Sequence, residues 1–140
     1  MASGEDGALA RPAGCRTGLV PYRLVGRADD RVDALLLESA REWGIEGAAR
    51  YNRLLLAALD AIAANPALPG SRPVSGLSDI RSYHLRSARH LVMKEHRVRQ
   101  PRHLVLYRLA PDGFVDVLGV VHDRQLLIRA ARRVQREANG

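Results

Sequence analysis

Residues 29–66 read DDRVDALLLESAREWGIEGAARYNRLLLAALDAIAANP, and their periodicity decides the fold. Val32, Leu35, Leu36, Ala40 and Trp43 recur at three- and four-residue intervals, the spacing that gathers side chains on one helical face. Asp29 or Asp30 caps the start, where unpaired N–H groups and the helix dipole favour an acid. Gly44 supplies a left-handed stop after Trp43. A second stripe of Tyr51, Leu54, Leu55, Ala58 and Ile62, widened by Leu56 and Leu59, predicts another helix from about Glu46 to Asn65. Pro66 ends it, because a residue before proline avoids the helical region. So short a connection predicts an antiparallel helical hairpin.

Outside this stretch the period changes to two. Tyr22–Val25 reads as a short first strand, and Ile80–Leu85, His103–Leu109 and Phe114–Val121 as three more. Pro111-Asp112-Gly113 is a tight turn joining the last two. Residues 66–78, with three prolines and two glycines, read as a loop. Residues 86–102 carry six basic side chains and one acid, Glu95, and read as a long basic hairpin arm reaching past the sheet. Asp123–Ala138 turns helical again, with Leu126, Leu127, Ala130 and Val134 on one side and Arg129, Arg132, Arg133 and Arg136 on the other. Residues 1–20 have no periodicity and are expected to be a flexible tail, leaving residues 21–138 as a single domain. The expected class is α+β: an N-terminal strand and a helical hairpin packed on a mainly antiparallel four-stranded sheet, closed by a C-terminal helix.

Charge is segregated along the chain. The 140 residues carry a formal net charge of +7, yet residues 1–70 balance to −1 and residues 71–140 to +8. All but one of the 22 basic residues are arginine, whose planar fork suits carboxylates and phosphates. A one-sided basic surface favours an acidic partner. The single cysteine, Cys15, excludes an internal disulfide and any multi-cysteine zinc site, and reads as an incidental thiol. No histidine pair sits at helical metal-ligand spacing, so neither metal nor cofactor is expected. No apolar run reaches the roughly 18 residues of a membrane span. The acidic opening Met1-Ala-Ser-Gly-Glu-Asp6 is unlike a secretory signal, so the expected location is the cytoplasm.

Several short strings share an order. Tyr22-Arg-Leu24, Ala28, Asp33-Ala-Leu35, Trp43-Gly44, Ala48, Tyr51 and Asn65-Pro66 resemble the first half of the ParE/RelE superfamily of toxins. Arg81-Ser-Tyr83, Leu106-Tyr-Arg108 and Val120-Val-His122-Asp-Arg124 look like its second half. The resemblance spans about residues 22–128 and is nearest the ParE branch. It implies the toxic half of a type II toxin–antitoxin pair, a ParD-like antitoxin that forms a hetero-oligomer with it, and DNA gyrase as target. Any nucleic-acid contact is then indirect. RelE-like members instead cleave messenger RNA on the ribosome, which is the alternative. One departure is Gly119, where the family often carries arginine.

Two residue sets follow. For the ribonuclease alternative, His84, His103 and His122 with Arg81, Arg108 and Arg124 would supply base, acid and cations. The plainer reading makes these histidines half-exposed sheet positions. RelE-like nucleases carry a tyrosine near the C-terminus, whereas the last tyrosine here is Tyr107, so the resemblance weighs against catalysis. For a binding toxin, an open basic face would comprise Arg81, Tyr83, Arg86, Arg97, Arg99, Arg108, His122, Arg124, Arg132 and Arg133. Pairing of the strand arginines with carboxylates such as Asp79 or Asp116 is the competing reading. Leu37, Leu56 and Leu59 are the candidate antitoxin contacts, with burial in the core as the alternative.

Overall fold

The computed structural model describes residues 21–140; the expected tail at 1–20, with Cys15, lies outside them. The two apolar stripes form α1 (Ala28–Ala64), with Asp29 and Asp30 in its first turn. As expected, these are two helical arms that meet at a very short connection, the single residue Gly44, whose φ of 80° and ψ of 174° leave the helical region; the two arms are labelled together as α1. A residue with a Cβ is strained there, which is why glycine marks the break. The first arm buries Val32 and Leu35, and the second buries Tyr51, Leu54, Leu55, Ala58, Leu59 and Ile62. Both arms share one core cluster.

The sheet has five strands: β1 (Tyr22–Leu24), β2 (Ser71–Val74), β3 (Leu77–His84), β4 (His103–Leu109) and β5 (Val115–His122), in the order β1-β5-β4-β3-β2. It is mixed, since β1 runs parallel to β5 and the other pairs are antiparallel. The expected four-stranded sheet therefore lacked β2, hidden in the proline-rich stretch. Pro73 is compatible with β2 because that strand lies at the sheet's edge, where one row of N–H groups needs no partner.

The expected basic arm is also corrected. Residues 85–91 and 94–96 form short 3₁₀ helices, and Leu85, Ala88 and Val92 are buried in the core beside α1. Apolar residues among the arginines anchor this segment, so it folds back and does not project.

Both faces of the sheet are covered. Val105, Tyr107, Val115, Val117 and Val120 pack under α1. On the other face Ile80, Leu106, Leu118 and Val121 pack against Ala130, Ala131 and Val134 of α2 (Leu127–Asn139). A bulge joins the two sets. Leu106 pairs with Gly119 and Tyr107 with Val117, leaving Leu118 as the extra residue. It shifts the alternation of β5 by one, so odd-numbered residues face α1 before it and even-numbered ones after it.

Hydrogen bonds tie β2 to the core. Tyr107 Oη donates to the Pro66 carbonyl at 2.5 Å and lies 2.5 Å from Ser71 Oγ, which also accepts from Arg81 Nε at 2.7 Å. Tyr107 is 1% exposed, so Tyr107→Phe leaves the Pro66 carbonyl without this donor. The expected loss in urea unfolding is about 1–3 kcal/mol. An unchanged midpoint would contradict this account of the β2 anchor.

Candidate functional site: the histidine corner and the arginine helix

Three strand ends meet at one corner of the sheet. β3 ends at His84, β4 begins at His103 and β5 ends at His122. His103 and His122 are cross-strand partners with ring centroids 5.0 Å apart, and His84 is opposite Leu104. The turn after β5 brings in Asp123, whose carboxylate accepts from His84 Nε2 at 3.1 Å and lies 3.3 Å from Arg102 Nε. α1 contributes Tyr51. Its hydroxyl accepts from the Arg102 N–H at 3.0 Å, which directs its own hydrogen to His103 Nδ1 at 2.7 Å.

Each imidazole thus has its acceptor nitrogen engaged. His84 Nδ1 accepts from the Arg86 N–H at 3.1 Å, and His122 Nδ1 from the Arg124 N–H at 3.0 Å. Burial, together with the neighbouring His122 and His84 and against the pull of Asp123, pushes the His103 pKa down to about 4. The His103 ring is therefore neutral at pH 7. Burial opposes ionisation of Asp123, but the bond from His84 and the charges of Arg102 and His122 outweigh it and hold the carboxyl below its usual range. Burial raises the Tyr51 hydroxyl to about 12, so it stays protonated. Sequence reasoning missed Tyr51, Arg102 and Asp123 here. The apolar stripe explained Tyr51 as core, and nothing in its spacing showed what its hydroxyl would meet.

The residues expected to bind a target separate into two groups. Tyr83 is 2% exposed and packs in the core. Arg81 donates to Ser71 of β2, while Arg108 contacts Asp116 at 3.4 Å and Asn139 at 3.0 Å. Arg97 Nε donates to the Val92 carbonyl at 3.0 Å. With α1 and α2 on its two faces, the sheet has no open basic face of the kind expected. Arg86, Arg99, Arg124 and Arg132 do reach solvent, His122 is half-buried, and so is Arg133. Among the described residues, no group of three or more His, Cys, Asp or Glu side chains is placed to hold a metal ion.

α2 concentrates the free charge. It packs through Ala130, Ala131 and Val134, which turns Arg129, Arg132 and Arg136 outward. None of these three has an acidic partner among the described residues. Against this chain of features, a family model described as the ParE toxin of the type II toxin–antitoxin system, parDE, matches residues 22–127. The chain belongs to that family. It is accordingly a type II toxin, and an antitoxin is its partner. Comparison with curated proteins finds no match. The family match ends where α2 begins, so the arginine face of that helix lies beyond the part this ParE-family toxin shares with the model.

The expected antitoxin contacts separate similarly. Leu37 is 55% exposed and Leu56 half-buried, but Leu59 is only 4% exposed and belongs to the core. Ile45, one residue past the Gly44 break, is the most exposed large apolar side chain of α1. Trp43, placed by its spacing on the core stripe, is also exposed because the helix breaks immediately after it. No described helix is long and apolar enough to cross a membrane.

Proposed function

We propose that this ParE-family toxin acts in the cytoplasm and inhibits DNA gyrase by binding, without making or breaking bonds itself. The observation that carries this reading is the outward row of Arg129, Arg132 and Arg136 on α2, with Arg124 exposed in the preceding turn. A rigid cationic helix face attracts an acidic macromolecular surface and speeds its encounter. Gyrase holds cleaved DNA through a covalent intermediate. A protein that prefers that state raises its population, and broken DNA accumulates.

The histidine corner weighs against the ribonuclease alternative. A general base needs a free lone pair within reach of the proton it removes. At His84, His103 and His122 that lone pair already accepts a hydrogen bond from within the protein. A ParD-like antitoxin would neutralise the toxin by laying an apolar helix over Leu37 and Ile45 of α1 and an acidic segment toward the arginines of α2, ordering as it binds.

The purified protein should abolish gyrase supercoiling and trap covalently bound, cleaved DNA. Replacing Arg129, Arg132 and Arg136 together with alanine should raise the half-inhibitory concentration at least roughly tenfold through lost electrostatic attraction. Because all three are exposed, stability should shift by no more than about 0.5 kcal/mol each. Fragments of messenger RNA on translating ribosomes that disappear with His122→Ala would reverse the assignment in favour of catalysis.

A further inference from the structure

Trp43 is the only tryptophan in the chain and is 67% exposed. It rims a cleft of about 280 Å³ between α1 and the segment leading into β4. Four of the cleft's lining residues are arginine (Arg50, Arg97, Arg99 and Arg102), none is acidic, and the buried Tyr51 also lines it. Arg97 and Arg102 each use Nε, toward the Val92 carbonyl and Asp123 respectively. Arg50 and Arg99 have no acidic partner among the described residues.

We propose that this cleft binds one nucleotide of a single-stranded nucleic acid, with the base stacked on Trp43 and the adjoining phosphates held by Arg50, Arg97, Arg99 and Arg102. A cationic groove beside an aromatic face is the combination that holds single strands, because every base has a face to stack and every linkage a phosphate to pair. Guanidinium forks match phosphate oxygens two at a time. The volume lies just under the roughly 300 Å³ at which pockets for drug-sized ligands begin, which suits one nucleotide and excludes a stacked pair. A base within a duplex stays in its stack and cannot enter. An acidic peptide would satisfy the arginines but leave the exposed indole without a matching surface. The proposal stands apart from the gyrase reading, since it concerns the free protein and a strand alone.

Fluorescence of Trp43 reports directly on its own site. Titration with a short single-stranded oligothymidylate in about 50 mM salt should give saturable quenching. Affinity should fall roughly 7- to 50-fold by about 200 mM salt, as two to four phosphate contacts release counterions. Trp43→Leu, followed by anisotropy of a labelled strand, should weaken binding roughly 5- to 150-fold. The pair Arg50→Gln and Arg99→Gln should weaken it with a shallower salt slope, with circular dichroism confirming that both variants are folded. The proposal falls if the strand leaves Trp43 fluorescence unchanged, or if Trp43→Leu binds as tightly as the parent. Equal binding of a duplex, or displacement at equal affinity by polyglutamate or inorganic polyphosphate, would overturn it as well.

Discussion

Gly119→Arg is expected to unseat α2 and lower the free energy of unfolding by at least about 3 kcal/mol, read by urea or thermal denaturation. A Cβ at Gly119 would fall 3.0 Å from Val134 Cγ1 and 3.2 Å from Arg31 Cδ, so even a methyl group crowds both neighbours. The longer side chain must then either displace Val134, which is fully buried, or carry its guanidinium between β5 and α2. Overfilling a packed core costs about 1–3 kcal/mol, and an unpaired buried charge adds to it. The carboxylate of Glu137 on α2 already holds Arg31 through Nε at 3.2 Å and Nη2 at 2.5 Å. Gly119→Ala is the graded control. It asks its neighbours to give by a few tenths of an ångström and should cost about 1 kcal/mol or less. Equal stability of Gly119→Arg and the parent would mean that α2 does not press on the sheet here. The ParE/RelE pattern often carries arginine at this point, so the glycine changes the surface as well as the core. A helix covers the position, and cationic side chains appear on that helix's outer face instead.

Periodicity made the large elements legible and failed where a single residue broke the rule. The stripes in α1 were readable because core contacts repeat every three or four residues, and the alternation in β4 gave its bounds without error. Gly44 was readable as the stop between two helical arms, because a positive φ there favours glycine over any residue with a Cβ. β2 was hidden because Pro73 speaks against a strand until its edge position is known, and edge position is a property of the whole sheet. The 85–96 segment misled for a related reason. Its charge is conspicuous in the sequence, while its anchors, Leu85, Ala88 and Val92, are few and follow no strand or α-helical period. At the candidate site, the histidines were found by residue type and strand position. Their hydrogen bonds depend on register, on the turn that returns Asp123 and on Tyr51 from α1, and none of these is a local property of the chain.

Acidification should destabilise the protein between pH 6.5 and pH 4 through His103. In the unfolded chain this imidazole has its ordinary value of 6.5, whereas in the native corner it is about 4. Between those values the unfolded state binds the proton and the native state does not, so stability falls as pH falls through the window. Below about 4 both states are protonated there and this contribution is exhausted. The separation of the two values sets a ceiling of about 3 kcal/mol at roughly 1.4 kcal/mol per unit, and partial solvent access to the ring brings the expected loss nearer 2 kcal/mol. Asp123 and Asp112, both held below the usual carboxylate value of 3.8, lose their contributions only at lower pH. Protonation also sets the His103 cation beside His122 and removes the acceptor that Tyr51 Oη uses at 2.7 Å. His103→Gln keeps an acceptor near Tyr51 but cannot titrate. Its stability should therefore be nearly flat from pH 6.5 to pH 4, while the parent's declines. A parallel decline in both proteins would assign the acid sensitivity elsewhere, and with it would go the account of His103 as a neutral, hydrogen-bonded part of the fold.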